Sequence, residues 1–122
     1  MANDKLIIIA QKLLEQSRQD KVKWLDTAQE DKFFVAYPGD SVAISSEFAG
    51  TPDIPLKFST SYHKSYRLAI HNDKGMEVES LRILPHELGY STFEELFNLA
   101  RRTALKADQI LDDLLARLNA GE

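Results

Sequence analysis

A chain of 122 residues, 43% hydrophobic and 28% charged, has room for one ordinary globular domain and not for two. It contains no cysteine, which excludes disulfides, thiolate metal sites and a cysteine nucleophile. Fifteen Lys and Arg against 19 Asp and Glu leave a net charge of -4, which favours solubility and argues against a general nucleic-acid binder.

The first segment, Asn3 to about Gln19, sets Leu6, Ile9 or Ala10, and Leu13 on one stripe and predicts a helix. Asn3 and Asp4 supply a cap and a negative first turn, and the polar stretch Gln16 to Lys21 ends the apolar pattern. The run Leu6-Ile7-Ile8-Ile9 is apolar on every side of the helix, more than one buried face requires, so a second cover is expected there.

From about Val22 to Leu84 the apolar period becomes two, with β-branched and aromatic residues between turn signals, which predicts four or five antiparallel strands in a meander. Tyr37-Pro38-Gly39-Asp40 places Pro and Gly where a type II turn takes them. Counting outward pairs Val35 with Val42 and Phe33 with Ile44, so the apolar faces coincide. Asn72-Asp73-Lys74-Gly75 suits a three-residue loop with Gly75 left-handed, which pairs His71 with Glu77, Ile70 with Val78 and Leu68 with Ser80. Glu47 to about Tyr62, with Gly50, Pro52 and Pro55, reads as a loop between the two hairpins.

After a second connection over Pro85 to Tyr90, both Ser91 to Glu94 and Thr92 to Glu95 match the capping-box spacing. The helix that follows, roughly Thr92 to Asn119, repeats Phe93, Phe97, Ala100, Ala104, Ala107, Leu111, Leu114 and Leu118 over four unbroken heptads. Such a helix would be about 40 Å long, against a domain diameter of about 35 Å for this length. It must cross the full width of the molecule or project from it. Ala100, Ala104 and Ala107 allow close approach of another element, and the leucines gathered beyond them suit self-association.

Signals for chemistry are sparse. His63, His71 and His86 lack the spacing of a metal pair on a helix, and His71 facing Glu77 is explained as a cross-strand pair. There is no Gly-x-Ser-x-Gly elbow, and five dispersed glycines build neither a phosphate loop nor a dinucleotide fingerprint. No cofactor is therefore expected. The acidic pairs Glu30-Asp31, Glu94-Glu95 and Asp112-Asp113 fit a turn, a helix start and a solvated helix face. Arg101, Arg102 and Lys106 form a basic patch that suits phosphate contacts, but the carboxylates around it fit helix-surface pairing. Trp24, Tyr62, Tyr66 and His86 are the candidates for a small-molecule pocket between sheet and loop.

No apolar run reaches the roughly 18 residues of a membrane span, and the first residues lack the basic region and cleavage pattern of a secretory signal, so a cytoplasmic location is expected. One resemblance covers nearly the whole chain. The series Trp24-x-x-Thr27, Phe33-Phe34, Ser41-Val42-Ala43-Ile44-Ser45, Tyr66-Arg67-Leu68-Ala69-Ile70, Gly75-x-Glu77-Val78-Glu79 and Leu96-Phe97-x-Leu99-Ala100-Arg101-Arg102-x-Ala104-Leu105 resembles a loose group of small bacterial α+β proteins without an assigned activity. The resemblance implies a bacterial origin and an α+β fold and carries over no activity; Arg101 and Arg102 are its most specific polar element.

The sequence therefore predicts a two-layer α+β domain over residues 1–122, an antiparallel meander flanked by an N-terminal and a long C-terminal helix. The leading functional expectation is a non-enzymatic interaction module, a homodimer joined by its apolar helices, with Phe97, Ala100, Arg101, Arg102, Ala104, Leu111, Leu114 and Leu118 as contact residues. The alternatives are the small-molecule pocket and a nucleic-acid contact through the basic patch.

Overall fold

The computed structural model describes residues 2–49 and 63–121, so the central part of the expected loop, with Tyr62, lies outside the described residues. Helix α1 (Ala2–Arg18) buries Leu6, Ala10, Leu13, Leu14 and Ser17, the spacing that keeps one face of a 3.6-residue period against a core. It starts at Ala2, which puts Asn3 inside the first turn instead of at the cap. At its other end the chain reverses through Asp20, whose φ of 58° is left-handed, and the Lys21 amide donates back to the Gln16 carbonyl. The expected second cover over the apolar first turns is not found among the described residues: Ile8 stands 49% exposed.

Five strands follow in one antiparallel sheet, ordered as they occur in the chain: β1 (Leu25–Asp26), β2 (Lys32–Tyr37), β3 (Asp40–Ala49), β4 (His63–Asn72) and β5 (Glu77–Ile83). The first hairpin has the register that its turn dictates, Val35 with Val42 and Phe33 with Ile44, and Gly39 takes the positive φ of 89° that a type II turn requires. Strand β3 runs on through Glu47 to Ala49, paired with β4 down to His63, so the strands reach into the segment expected to be loop.

The second hairpin corrects the predicted register. Asn72 closes the turn, its Oδ1 accepting from the Lys74 and Met76 amides, and His71 does face Glu77. Beyond that pair a bulge intervenes, so Ile70 faces Glu79 instead of Val78 and Leu68 faces Leu81 instead of Ser80. The extra residue reverses the face of everything after it. Val78 is turned out to solvent, while Leu81 and Ile83 come under the helices, with Ile83 opposite Tyr66.

Helices α1 and α2 (Tyr90–Ala104) pack together on one face of the sheet, α2 against β1 to β4 and α1 against β5. Phe33, Ile44, Leu68, Ile83, Phe93, Leu96 and Phe97 are fully buried between these layers. Helix α2 starts at Tyr90 behind a left-handed Gly89, and no side chain caps it, so neither predicted capping box forms. Gly89 is required: at φ 97° a Cβ there would also meet Ile83 Cδ1 at 3.3 Å.

The single long C-terminal helix is not observed. It is broken at Leu105 and Lys106, where Lys106 is left-handed at φ 54°, and a separate helix α3 (Ala107–Asn119) follows. The break falls where the core ends. Ala100 is the last fully buried residue of α2, and its 15 residues span about 22 Å, close to the width of about 19 Å of five strands at 4.8 Å spacing.

Candidate functional site

The eight residues expected to form one contact surface separate into two environments. Phe97 and Ala100 are buried, with the Phe97 ring 5.6 Å from Phe33 and 5.3 Å from Tyr66, centroid to centroid. Ala104 is half-buried against the same core. Phe97 and Ala100 hold α2 to the sheet and are closed to any other molecule. Leu111, Leu114 and Leu118, all on α3, are open.

Helix α3 has no buried residue. Ile110, Leu111, Leu114, Leu115 and Leu118 are each 47 to 60% exposed. At 100° per residue these five and Ala107 fall on one face, and Gln109, Asp112, Asp113 and Ala116 on the opposite one. The helix meets the rest of the protein chiefly through α2. An isolated helix of 13 residues is marginal in water, because propagation over so few residues hardly offsets nucleation, so an amphipathic helix of this length normally depends on covering its apolar face.

The basic patch sits where the two helices join. Arg102 is turned to Asp108 and forms an ion pair that bridges the break, Arg101 is exposed, and Lys106 occupies the left-handed turn. Beside them lies a shallow cleft of about 350 Å³, lined by Arg18, Asp20, Arg102, Lys106 and Asp108 among others. Its charges are largely spoken for. The Arg18 guanidinium donates from Nε and Nη2 to the two Glu95 oxygens at 2.7 and 2.6 Å, tying α1 to α2. That hydrogen bonding holds the Glu95 carboxyl below its ordinary range and raises the guanidinium further.

The candidate pocket residues that are described stand in different environments. Trp24 is 2% exposed, and its indole Nε1 donates to Ser17 Oγ at 2.9 Å, which satisfies both buried polar groups. Tyr66 is equally buried, its ring 5.3 Å from Tyr90, and burial pushes its hydroxyl pKa up to about 12, with Tyr90 and Glu94 adding to the shift. His86 is exposed in the connection before α2, and Tyr62 lies outside the described residues. His71 faces Glu77 across the strands, but the carboxylate is taken by Arg67, whose hydrogen bond lowers the Glu77 pKa.

Among the described residues no three His, Asp or Glu side chains converge as a metal site, and no helix is long and apolar enough to cross a membrane. No family model, curated protein or solved structure matches the chain. The exposed stripe on α3 was visible as periodicity. Periodicity alone did not separate the covered half of the heptad run, Phe97 to Ala104 on α2, from its open half, Leu111 to Leu118 on α3.

Proposed function

We propose that this chain is a non-enzymatic protein-interaction module of the cytoplasm whose contact element is α3. A single observation supports this reading: five large apolar side chains on a helix that buries none of its residues. A contiguous apolar face of that kind marks a place where another protein surface is covered and water displaced. The body formed by α1, the sheet and α2 has its own core and serves as the platform. No acid, base or nucleophile is needed for such a role.

The test is stability in dilute solution. Replacing Leu111 and Leu114 together by Gln is expected to change the unfolding free energy by less than about 0.5 kcal/mol, as for open surface positions. Leu96→Ala, in the core, is expected to cost about 2 to 5 kcal/mol. A cost above about 2 kcal/mol for the double variant would assign α3 to its own core and overturn the reading.

A further inference from the structure

We propose that the joint between α2 and α3 is a two-position hinge: bent at Lys106 in this structure, it straightens into one continuous helix, and the Arg102–Asp108 ion pair is the clamp that holds it bent. This applies whatever surface α3 meets. The first support is a mismatch between residue and backbone. Among the described residues only Asp20 and Lys106 are left-handed without being glycine. Aspartate tolerates that conformation through its short polar side chain, whereas lysine has no such compensation and is a strong helix former. Its neighbours Ala104, Leu105 and Ala107 favour a helix as well.

The change needed is confined to one residue. Leu105, at φ -87° and ψ 0°, lies beside the helical region, and only Lys106, at φ 54° and ψ 45°, lies in another basin. Hydrogen bonding in helical register runs up to the Leu105 amide, which donates to the Arg101 carbonyl, and resumes at the Ile110 amide, which donates to the Lys106 carbonyl. Straightening therefore asks only the four amides from Lys106 to Gln109 to take new partners. Little else resists it: α3 buries none of its residues, and its contacts are chiefly with α2. Hinges of this kind absorb their motion in a few residues at the end of an element.

The clamp exists only in the bent form. In a continuous α-helix, positions six apart in sequence are separated by about 9 Å along the axis and about 120° around it, so that Arg102 and Asp108 no longer face each other. Straightening also returns Lys106 to the position four residues beyond Arg102, where two like charges repel. Charge thus favours the bend and residue preference favours the straight helix, two small and opposed effects. Both partners of the clamp are more than half exposed, so the pair is weak and salt screens it. In the bent form Asp108 and Gln109 wall the cleft of about 350 Å³ beside Ser17, Arg18 and Asp20, and straightening opens that cleft.

A chain without native cysteine accepts spin labels at Asn98→Cys on α2 and Asn119→Cys on α3, which report the joint in the full-length protein. One continuous helix sets those positions about 32 Å apart, and the bend brings them closer. Pulsed electron-spin distance measurement is expected to show both populations. Asp108→Ala, or raising salt from about 0.02 to 1 M, should increase the straight-to-bent ratio about 2- to 5-fold. Lys106→Gly, which relieves the left-handed residue and weakens the continuous helix, should lower that ratio at least about 10-fold.

A single distance that none of the three changes moves would overturn the hinge. So would a broad distribution lacking the long component, which would mean that α3 frays instead of straightening. A long distance alone, left in place by Lys106→Gly, would overturn it equally, because the bent form would then be absent in solution.

Discussion

Single residues decide several turns of this fold, and Gly89 is the sharpest case. Its φ of 97° excludes an unstrained side chain, and the space a Cβ would occupy is closed by Ile83 Cδ1. Gly89→Ala is expected to destabilise by about 1 to 2 kcal/mol, the cost of a left-handed alanine with a tight contact added, as read from denaturant unfolding. An unchanged midpoint would show that the start of α2 relaxes without loss. Trp24 shows the opposite use of a residue. As an aromatic between a helix and a strand it fits a ligand cleft as well as a core, and what decides is its partner: Ser17 lies seven residues back on α1 and accepts the indole hydrogen bond inside the protein.

At the scale of elements, the sequence was most legible where two independent signals coincided. Pro38-Gly39 specified the turn, and the alternation of Phe33, Val35, Val42 and Ile44 specified the face, so β2 and β3 were paired correctly. The β4–β5 register was misread because Val78 lies an odd number of residues from Leu81 and Ile83, and with His71 held opposite Glu77 only a bulge turns Leu81 and Ile83 inward in place of Val78. The helix break was illegible for a different reason. Ala104, Leu105, Lys106 and Ala107 are all strong helix formers, the heptad continues through them, and no Gly or Pro announces a stop. What ends α2 is the edge of the core, a tertiary fact.

That break is open to direct test. With Lys106 left-handed, Lys106→Gly is expected to stabilise by about 0.5 to 1 kcal/mol by relieving the side-chain penalty. In one continuous helix the same substitution would cost about 1 kcal/mol. The sign of the change in chemical denaturation therefore discriminates between the two arrangements. The same position explains why the site was only half legible: the heptad was read as one surface, but the turn at Lys106 leaves Phe97 and Ala100 inside and Leu111, Leu114 and Leu118 outside.

For the molecule as a whole, one sheet face carries the helices and the other carries ion pairs, Arg67 with Glu77 and Arg82 with Glu47. Two ion pairs join parts distant in sequence or across a turn, Arg18 with Glu95 and Arg67 with Glu77, and both depress the carboxyl pKa in the folded state. A depressed carboxyl contributes stability that is present above its unfolded pKa, near 4.5 for Glu, and lost as pH falls through the lower folded value. Thermal unfolding is accordingly expected to move to lower temperature as pH drops below about 4.5. The Glu77→Gln, Glu95→Gln double variant should start less stable at neutral pH and fall less steeply with acid. Identical acid slopes for both proteins would dissociate these pairs from the acid response. Such exposed pairs are worth little singly, so the difference in slope, rather than the absolute midpoint, is the informative quantity.

The bulge in β5 has a consequence beyond the hairpin. A sheet whose last strand is straight and apolar invites the strand of a neighbouring chain, and the addition can repeat without limit. Here the last strand presents Glu77 and Glu79 around an out-of-step Val78, so an incoming backbone meets mismatched amides and two carboxylates. Growth along the hydrogen-bonding direction is therefore blocked at β5. Concentrated solutions of this protein are accordingly protected along that edge from the open-ended fibrous stacking that an unguarded sheet would permit.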